Sequence, residues 1–529
     1  MSRSRTITGE GESLVKYLLD ENNLILSRSS KLHRPRGYLC GIGACPNCMM
    51  RVDDIPNVRV CQHRVGGKHT VETQNELRLV DSFGVLNALH PLISAGFQYR
   101  HFFSKRKRSM FYSVLRRVSG LGSASSSSRV TSRSVKLSPE VLVIGGGVAG
   151  LAAALSLQRN EILLIEQEEL GGDFMIRWSQ SELKEIQREK KMVQDLVASV
   201  LASPKIRVVK ATVVGYYRLD RLVIAVNQNE GVVYQISPDE VIVATGMHET
   251  LPLFRNNDLP MVMLSAAVQR ILNQKVQLPR LAFVVDINGQ GPIVSADLAQ
   301  RGMQVVGLSR PGLFSESEAA LCSQYGVPMF PNSMVENVQS SGVVTLSRDG
   351  ELQDIHAKLL VVCGRLQPNY ELGFQLGCSM IVRNGESETR MEGTRGVDKP
   401  ARVVGALAGY SSLLDCVTSG KVTEKASDMV IDITPDRYTK RAVEKAQLDA
   451  FACICEDVSV KEIVGAIKGG YVDIENLKRY TGVATGPCQG KQCALTVAEI
   501  LSLMGTGPFF TTVRQPYMPV AVSMLATEE

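Results

Sequence analysis

Residues 140–150 read Glu140-Val141-Leu142-Val143-Ile144-Gly145-Gly146-Gly147-Val148-Ala149-Gly150, a short apolar run followed at once by a glycine-rich turn. The apolar run predicts a buried parallel strand, and the Ala- and Leu-rich segment after it predicts a helix from Leu151 to Leu157. A strand, a glycine turn and a helix in this order are typical of a dinucleotide-binding fold. We therefore predict an α/β protein with Rossmann-like domains.

The three glycines of this motif have separate expected roles. Gly145 allows the tight turn, Gly147 lets a pyrophosphate approach the backbone, and Gly150 lets the helix pack closely on the strand. The next predicted strand, residues 161–165, ends at Glu166, whose carboxylate can accept hydrogen bonds from a ribose. We predict a cofactor site formed by these four residues.

A later strand, Val241 to Val243, ends in Ala244-Thr245-Gly246 and resembles the ATG segment of two-dinucleotide flavoproteins. The resemblance implies that the chain leaves an FAD domain here, which favours FAD over NAD, with Thr245 and Gly246 near it. The stretch 403–409 resembles the strand that returns to the FAD domain. Relatives often carry an acid after its glycine, whereas this chain has Gly405-Ala406, so we expect either backbone contacts from these two residues or a weaker contact with the flavin.

A second nucleotide-binding unit is recognisable but degraded. Residues 281–285 predict its first strand, yet Val294 stands where the third glycine belongs. The strand at 304–308 ends in Ser309-Arg310 with no acid. We expect a retained fold and consider a bound NAD(P) doubtful; Arg310 is interpreted as a surface arginine, with contact to a 2′-phosphate as the alternative.

Four cysteines near the start follow the order C-x4-C-x2-C-x12-C, a spacing typical of plant-type [2Fe–2S] clusters: Cys40, Cys45, Cys48 and Cys61. The small residues between them allow backbone N–H groups to point at cluster sulfurs. Apolar residues at helical spacing predict a helix over residues 10–20, so this domain is predicted to be α+β. A zinc site and buried free thiols are the alternatives.

A second set of four cysteines follows the order C-x-C-x32-C-x4-C: Cys453, Cys455, Cys488 and Cys493. The pattern resembles the [2Fe–2S] domain of bacterioferritin-associated ferredoxin, and the sequence between the pairs predicts a small helical domain. Zinc is the alternative ligand of these thiolates. The four other cysteines lie in apolar segments and are interpreted as core residues.

Composition is ordinary for a globular protein of several domains, with 529 residues, 44% hydrophobic residues and a net charge of +6. Apolar runs are far shorter than a membrane span, and no secretory signal is recognised, so we expect no transmembrane segment and a cytoplasmic, reducing location. The positive charge is concentrated in residues 105–136, which include a serine run. This stretch predicts a linker; contact with an acidic partner or a peripheral membrane surface is left open, and no nucleic-acid motif accompanies it.

The predicted domains, in chain order, are a ferredoxin-like domain (1–100), a basic Ser-rich linker (101–138), the first part of an FAD domain (139–258), a second nucleotide-binding-like domain (259–390), a returning FAD segment (391–446) and a C-terminal [2Fe–2S] domain (447–529).

This order resembles the α subunits of heteromeric sarcosine oxidase, hydrogen cyanide synthase, opine oxidase and the proline and hydroxyproline dehydrogenases. Segments that carry the likeness are His33-Arg34-Pro35-Arg36-Gly37, Asn57-Val58-Arg59, residues 95–99 and 115–117, Cys455-Glu456-Asp457-Val458 and residues 477–481. Sarcosine oxidase itself has lost cluster cysteines and carries an aminomethyltransferase-like domain, whereas this chain keeps eight cysteines and ends at Glu529, so the cysteine-retaining dehydrogenases are expected to be more similar.

The resemblance implies an electron-transfer subunit with FAD and two [2Fe–2S] clusters, a flavoprotein β partner that oxidises an amine or amino acid, and an external electron acceptor. No catalytic side chain is expected in this chain. A self-contained NAD(P)H-dependent reductase and a redox-inactive scaffold are the other hypotheses. The degraded second nucleotide unit argues against the first, and the intact cysteines argue against the second.

Overall fold

The computed structural model describes residues 4–75, 81, 85–88, 90, 132–393, 401–421, 428–506 and 510–525. The chain divides into two compact units. Unit 1 comprises Met1–Ser126, Glu249–Leu366 and Pro435–Thr511, and unit 2 comprises Ser127–His248, Gln367–Thr434 and Thr512–Glu529. Most of the predicted linker, with residues 95–99 and 115–117, lies outside the described residues.

Unit 2 is built on a five-stranded parallel sheet whose three central strands are mostly buried apolar runs, as expected for a sheet covered on both faces. The strands are, in spatial order, Ile206–Lys210, Ile162–Glu166, Val141–Ile144, Glu240–Val243 and Ala401–Val403. Its helices are Val148–Ser156, Gly172–Arg177, Lys184–Ala202, Glu371–Gln375, Leu413–Lys421 and Val522–Leu525, with a 3₁₀ turn at Gly405–Ala408. The predicted strand–turn–helix at residues 140–157 is therefore confirmed.

Two smaller sheets complete unit 2. The first contains Thr212–Tyr217, Leu222–Asn227, Val232–Ile236 and Arg133–Leu137; the second contains Ser387–Met391, Met380–Asn384 and Met429–Asp432. Arg133–Leu137 runs parallel to Val232–Ile236, so the end of the predicted linker is a strand. Exposed and half-buried side chains alternate along Arg133–Leu137, so that one side of the segment packs on the unit. This alternation is the physical reason why the segment forms a strand.

Unit 1 contains a second five-stranded parallel sheet, in the order Val262–Leu264, Leu359–Cys363, Leu281–Asp286, Gln304–Arg310 and Met329–Pro331. Three helices, Ser265–Asn273, Gly291–Gln300 and Glu316–Gln324, accompany it, together with the antiparallel strands Ser333–Val338, Val343–Arg348 and Glu351–His356. The degraded nucleotide unit thus keeps the fold that the sequence predicts.

The N-terminal part of unit 1 is a four-stranded sheet in the order Ser4–Ser13, Arg64–Glu72, Met49–Val52 and Ile55–Arg59, beside the short pair Ser27–Arg28 and Pro35–Arg36 and the helical turn Val85–Ala88. The helix predicted over residues 10–20 is wrong. The strand extends to Ser13, and only Leu14–Tyr17 forms a 3₁₀ turn. Glycines at positions 9 and 11 weaken a helix there, while pairing with Arg64–Glu72 stabilises the strand.

The C-terminal part of unit 1 is mainly helical, as predicted. Its helices are Arg437–Glu444, Val460–Lys468, Ile474–Thr481 and Ala494–Leu503, with the short strands Phe451–Cys453 and Val458–Ser459. Ser459 and Glu462 form a capping box, and the Asp473 side chain accepts hydrogen bonds from two backbone amides at the start of the next helix. These local caps define where the two central helices begin.

The chain passes between the units within the strands Met247–Thr250 and Arg365–Pro368. Both crossings come earlier in the chain than the predicted domain boundaries at 258 and 390. The chain returns to unit 2 before residue 390 because the strand Met380–Asn384 pairs with Met429–Asp432 and so belongs to unit 2. In the part of the chain that the structure describes, no helix combines the length and the apolar character needed to span a membrane.

Candidate functional site

The glycine turn of unit 2 has the backbone geometry that each predicted role requires. Gly145 has a φ of +105°, which only glycine adopts easily, and a Cβ on Gly150 would overlap the Gly145 carbonyl. Gly147 differs from both because a Cβ placed on it meets no atom within 4 Å. The space beside Gly147 is therefore open where a pyrophosphate would approach the start of the helix Val148–Ser156.

Glu166 lies beside this turn, at the end of its strand. One carboxylate oxygen accepts a hydrogen bond from the Gly146 amide at 2.6 Å, and the other accepts one from the Glu168 amide at 2.8 Å. Burial raises the pKa of Glu166, although the surrounding amides oppose the shift. A carboxylate held in this way retains lone pairs for a ribose hydroxyl, so the residues fit a dinucleotide.

The turn after the strand Glu240–Val243 is fixed by Asn369, a residue that the sequence did not single out. The Thr245 hydroxyl donates to the Asn369 carbonyl at 2.9 Å, and the Asn369 side chain donates to the Thr245 carbonyl at 2.7 Å. The Asn369 amide also donates to the Gly246 carbonyl at 3.0 Å. Gly246 has a φ of +67° and open space beside it. Asn369 is thus a positioning residue for the Thr245–Gly246 turn.

Gly405 lies close to the first helix of the dinucleotide motif. Its φ is +71°, and a Cβ here would approach the Ala149 side chain to 2.6 Å. Its amide donates to the Ser419 hydroxyl at 3.0 Å. That amide is therefore engaged within the protein, which leaves Ala406 as the member of the predicted pair whose amide has no recorded partner among the described residues.

In the second nucleotide unit, a carboxylate ends the strand Leu281–Asp286. Asp286 accepts a hydrogen bond from the Gly289 amide at 2.9 Å, and Arg310 donates to its other oxygen from Nε at 2.8 Å and Nη2 at 2.6 Å. Arg310 also pairs with Glu318 and stacks on Phe314, with its Cζ 4.4 Å from the ring centroid. Arg310 is thus largely engaged inside unit 1.

In the N-terminal cysteine set, the four thiols are buried and associate as two pairs. Cys45 hydrogen-bonds to Cys40 and lowers the pKa of the Cys40 thiol to about 6; the backbone amides of Ile42, Cys45 and Ala44 act in the same direction. Cys48 hydrogen-bonds to Cys61, and this contact and burial raise the pKa of Cys61. Amides of the small-residue loop therefore point at the Cys40 sulfur, whereas the predicted hydrogen bonds to cluster sulfurs stay a prediction.

Members of the C-terminal set form a closed ring of thiol contacts. Cys453 and Cys488 each hydrogen-bond to both Cys455 and Cys493. These contacts lower the pKa of Cys453 and Cys488 and raise that of their two partners. All four thiols are buried, and Gly486 packs so close to Cys455 that a Cβ there would lie 2.5 Å from the cysteine Cβ.

Each set supplies four sulfur donors in a buried, amide-rich environment, which is the donor chemistry of a [2Fe–2S] cluster. Among the described residues, no group of three or more His, Cys, Asp or Glu side chains has the arrangement of a metal-ion site. The eight cysteines remain predicted ligands that fit such clusters.

Within unit 1 the two cysteine-bearing parts contact each other. Ser30 donates to the Cys455 carbonyl at 3.2 Å, and the Leu32 amide donates to an Asp457 carboxylate oxygen at 2.8 Å. Arg36, only 2% exposed, bridges Asp457 and Asp258 through its two terminal nitrogens. Sequence reasoning gave no role to these residues, because each contact joins positions more than 200 residues apart.

Taken together, the site residues define a class of proteins in which a ferredoxin-type domain accompanies two dinucleotide-binding domains. Three family models match the chain in keeping with this: a 2Fe-2S iron-sulfur cluster binding domain at residues 5–76, a pyridine nucleotide-disulphide oxidoreductase at 139–394 and a sarcosine oxidase A3 domain at 447–529.

Two individual relatives are similar to the chain, one over nearly all of it and the other over about half of it. The sarcosine oxidase subunit alpha of Rhizobium meliloti is 25% identical over 98% of this chain and 56% of its own length. Hydrogen cyanide synthase subunit HcnB of Pseudomonas aeruginosa is 25% identical over 49% of this chain and 69% of its own length. Over nearly its whole length the chain is similar to sarcosine oxidase α subunits, and over shorter stretches to subunits of hydrogen cyanide synthase and opine oxidase. It spans about half the length of the sarcosine oxidase subunits it matches.

Among solved structures, L-proline dehydrogenase from P. horikoshii has the same fold, with a TM-score of 0.65 over 99% of this chain and 98% of its own. The identity between the two is 18%, so this likeness concerns the fold alone.

Proposed function

We propose that this chain is the FAD- and iron–sulfur-containing electron-transfer (α) subunit of a heteromeric amine or amino-acid dehydrogenase or oxidase. The observation that carries the proposal is the presence, in one chain, of an open dinucleotide turn at Gly147 and two sets of four buried thiols. The name of the relative, sarcosine oxidase subunit alpha, supports an amine as the substrate of the assembly.

The chain's own residues have defined tasks in this proposal. The turn from Gly145 to Gly150 and the Glu166 carboxylate bind the FAD, and the two cysteine sets bind one cluster each. FAD exchanges two electrons and a [2Fe–2S] cluster exchanges one, so the cofactors together convert hydride chemistry into single-electron transfer. The Cys45 thiol and the backbone amides of Ile42, Cys45 and Ala44 lower the pKa of Cys40, which favours the thiolate form of this predicted ligand.

Substrate oxidation is assigned to a partner. The relatives are described as subunits, which supports a heteromeric complex. We propose a flavoprotein β subunit as the site of amine oxidation and an external electron acceptor for the electrons that leave this chain. We also propose a cytoplasmic location, which the eight cysteines support, since a reducing compartment keeps thiols available as cluster ligands.

A self-contained NAD(P)H-dependent reductase is the alternative, and the second nucleotide unit argues against it. A nicotinamide dinucleotide places its pyrophosphate at the amides of the turn after the first strand. In this chain the Asp286 carboxylate already accepts from the Gly289 amide, and Arg310 neutralises it. An internal anion thus competes with a pyrophosphate for the turn, and Arg310 is committed to Asp286 and Glu318 rather than to a 2′-phosphate.

The test is to co-purify the native complex and follow the flavin absorbance anaerobically with sarcosine, proline, hydroxyproline and NADH in separate experiments. Bleaching by one of the amines and not by NADH supports the proposal. Bleaching by NADH alone, in the complex or in the isolated chain, contradicts it and supports the reductase. Iron analysis in parallel distinguishes both from a scaffold, because a scaffold is colourless and contains no iron.

A further inference from the structure

One side chain connects the loops of the two cysteine sets. Arg59 lies two residues before Cys61, and its Nη2 donates a hydrogen bond of 2.8 Å to the carbonyl of Pro487. Pro487 immediately precedes Cys488. The bond therefore joins a ligand-bearing segment of the first set to a ligand-bearing segment of the second, although the two residues are 428 positions apart.

The surroundings of Arg59 place its side chain against the first cysteine loop along its length. A Cβ on Gly43, in the loop between Cys40 and Cys45, would lie 3.7 Å from the Cδ of Arg59. Its Nε is buried and has no acceptor among the described residues. The Arg59 side chain thus reaches from the N-terminal loop to the C-terminal one, with Nη2 donating to Pro487 and the buried Nε–H without an acceptor among the described residues.

We propose that Arg59 is the electronic link between the two iron–sulfur clusters, a positioning and coupling residue rather than a catalytic one. The inference rests on the proposed function, because it requires both clusters to be present. One electron leaves one cluster and enters the other, with no bond formed or broken and no proton transferred, and the reduced flavin is its source. The path runs from Cys61 through the Val60 and Arg59 backbone, the Arg59 side chain and one hydrogen bond to Pro487 and Cys488.

Other contacts hold the two cysteine-bearing parts together, so Arg59 can be changed without separating them. Ser30 donates to the Cys455 carbonyl, Lys31 pairs with Glu462 at 2.9 Å, and Arg36 bridges Asp258 and Asp457. Removing Arg59 therefore interrupts this bonded path while these contacts persist. An electron must then follow another route, such as one through Ser30 and the Cys455 carbonyl, or cross a gap through space, where electronic coupling decays more steeply than along bonds.

The experiment uses the complete chain in its complex, loaded with cofactors, in four forms: wild type, Arg59→Ala, Arg59→Lys and Arg64→Ala. Arg64 is a matched control, since it belongs to the same domain and also donates to a backbone carbonyl, that of Gly11, but not across to the second set. A pulse of photogenerated methyl viologen radical delivers less than one electron per chain. Rapid-freeze electron paramagnetic resonance then follows the redistribution of that electron between the clusters, whose signals are assigned with Cys45→Ser and Cys455→Ser variants.

We expect Arg59→Ala to lose the fast redistribution phase while iron content, both cluster signals and the dipolar coupling between fully reduced clusters stay unchanged. Arg59→Lys restores part of the phase because a lysine also reaches the carbonyl with a donor, and Arg64→Ala behaves as wild type. An unchanged redistribution rate in Arg59→Ala overturns the inference, as does a changed dipolar coupling, which shows that the residue sets cluster separation instead. Absence of iron from wild type contradicts the proposed function and is distinguishable from both results.

Discussion

Arg36→Leu is the substitution whose effect on the fold follows most directly from the structure. The arginine side chain is 2% exposed, and the side chains of its two partners, Asp258 and Asp457, are fully buried. Asp258 retains Arg34, which donates from Nε at 2.6 Å and from Nη2 at 2.8 Å. Asp457 retains only the Leu32 amide among the donors described for it besides Arg36. The substitution therefore leaves a buried carboxylate without its charge partner.

Removing one partner of a buried ion pair costs about 3–5 kcal/mol, because the remaining charge is desolvated and uncompensated. That is a large part of the roughly 5–15 kcal/mol by which domains are stable. Arg390→Leu is the matched control, because its pair with Asp428 lies at the surface and its loss should change the stability little. Asp457→Asn combined with Arg36→Leu should recover much of the loss, since an uncharged amide tolerates burial and also tolerates the φ of +48° at this position.

The pH dependence has a definite sign. Burial alone would raise the pKa of Asp258, but the charge of Arg36 and the hydrogen bonds of Arg34 hold it below the usual value. A carboxyl group whose folded pKa is lowered stabilises the fold above its unfolded pKa of about 3.9, and this contribution is lost as the pH falls through the folded pKa. Wild type should therefore lose stability in acid more steeply than Arg36→Leu.

Hydrogen exchange measured by mass spectrometry is the appropriate assay, because a chain of several domains does not unfold in two states. Peptides covering residues 29–36 and 451–463 should lose protection in Arg36→Leu, and those of unit 2 should keep it. The reasoning is refuted by an Arg36→Leu chain that keeps wild-type protection in both peptides, or by a double variant that recovers none of it.

Three further predictions concern the cofactor sites. Gly147→Ala should fold with a stability within about 0.5 kcal/mol of wild type but contain less flavin, because its Cβ meets no protein atom and enters the open space. Gly150→Ala should both contain less flavin and destabilise unit 2. Thermal unfolding and flavin absorbance together distinguish the two variants. Cys45→Ser and Cys455→Ser should each remove one of two iron–sulfur signals and leave the other, and loss of both signals from either variant would contradict two independent sites. Asn369→Ala should weaken flavin retention during gel filtration without loss of the parallel sheet, because it releases the turn after Glu240–Val243 but no strand; unchanged retention would show that the turn needs no such support.

The features that the sequence predicts correctly are those encoded over short distances. Gly145 and Gly150 stand within six residues of each other, so their spacing alone specifies the turn and the helix packing that the structure contains. The same holds for Cys40 and the amides of the loop after it. In contrast, the helical periodicity of residues 10–20 predicts the wrong secondary structure. The strand Ser4–Ser13 forms there because it pairs with the distant segment Arg64–Glu72.

What the sequence could not indicate are contacts between remote segments. The Gly405 amide looked available for a flavin, but Ser419 on the following helix accepts its hydrogen bond. Arg310 looked like a surface residue, but Asp286 and Glu318 engage it. In both cases the partner is determined by packing of separate elements, and no spacing rule relates one residue to the other.

The contacts between the two cysteine-bearing parts bear on how such a chain can be divided. In the sequence, the two cysteine-bearing parts lie at opposite ends of the chain, with the dinucleotide-binding domains between them. This order suggests that each part is a separate module. In unit 1, however, the buried Arg36 takes one carboxylate partner from residue 258 and the other from residue 457, and Arg59 donates to the Pro487 carbonyl. Removing the N-terminal part would take Arg36 from Asp457 and both arginine partners from Asp258, whereas removing the C-terminal part would take Asp457 from Arg36. The two cysteine sets therefore belong to one structural unit, and a shared electron path requires that they be made and retained together.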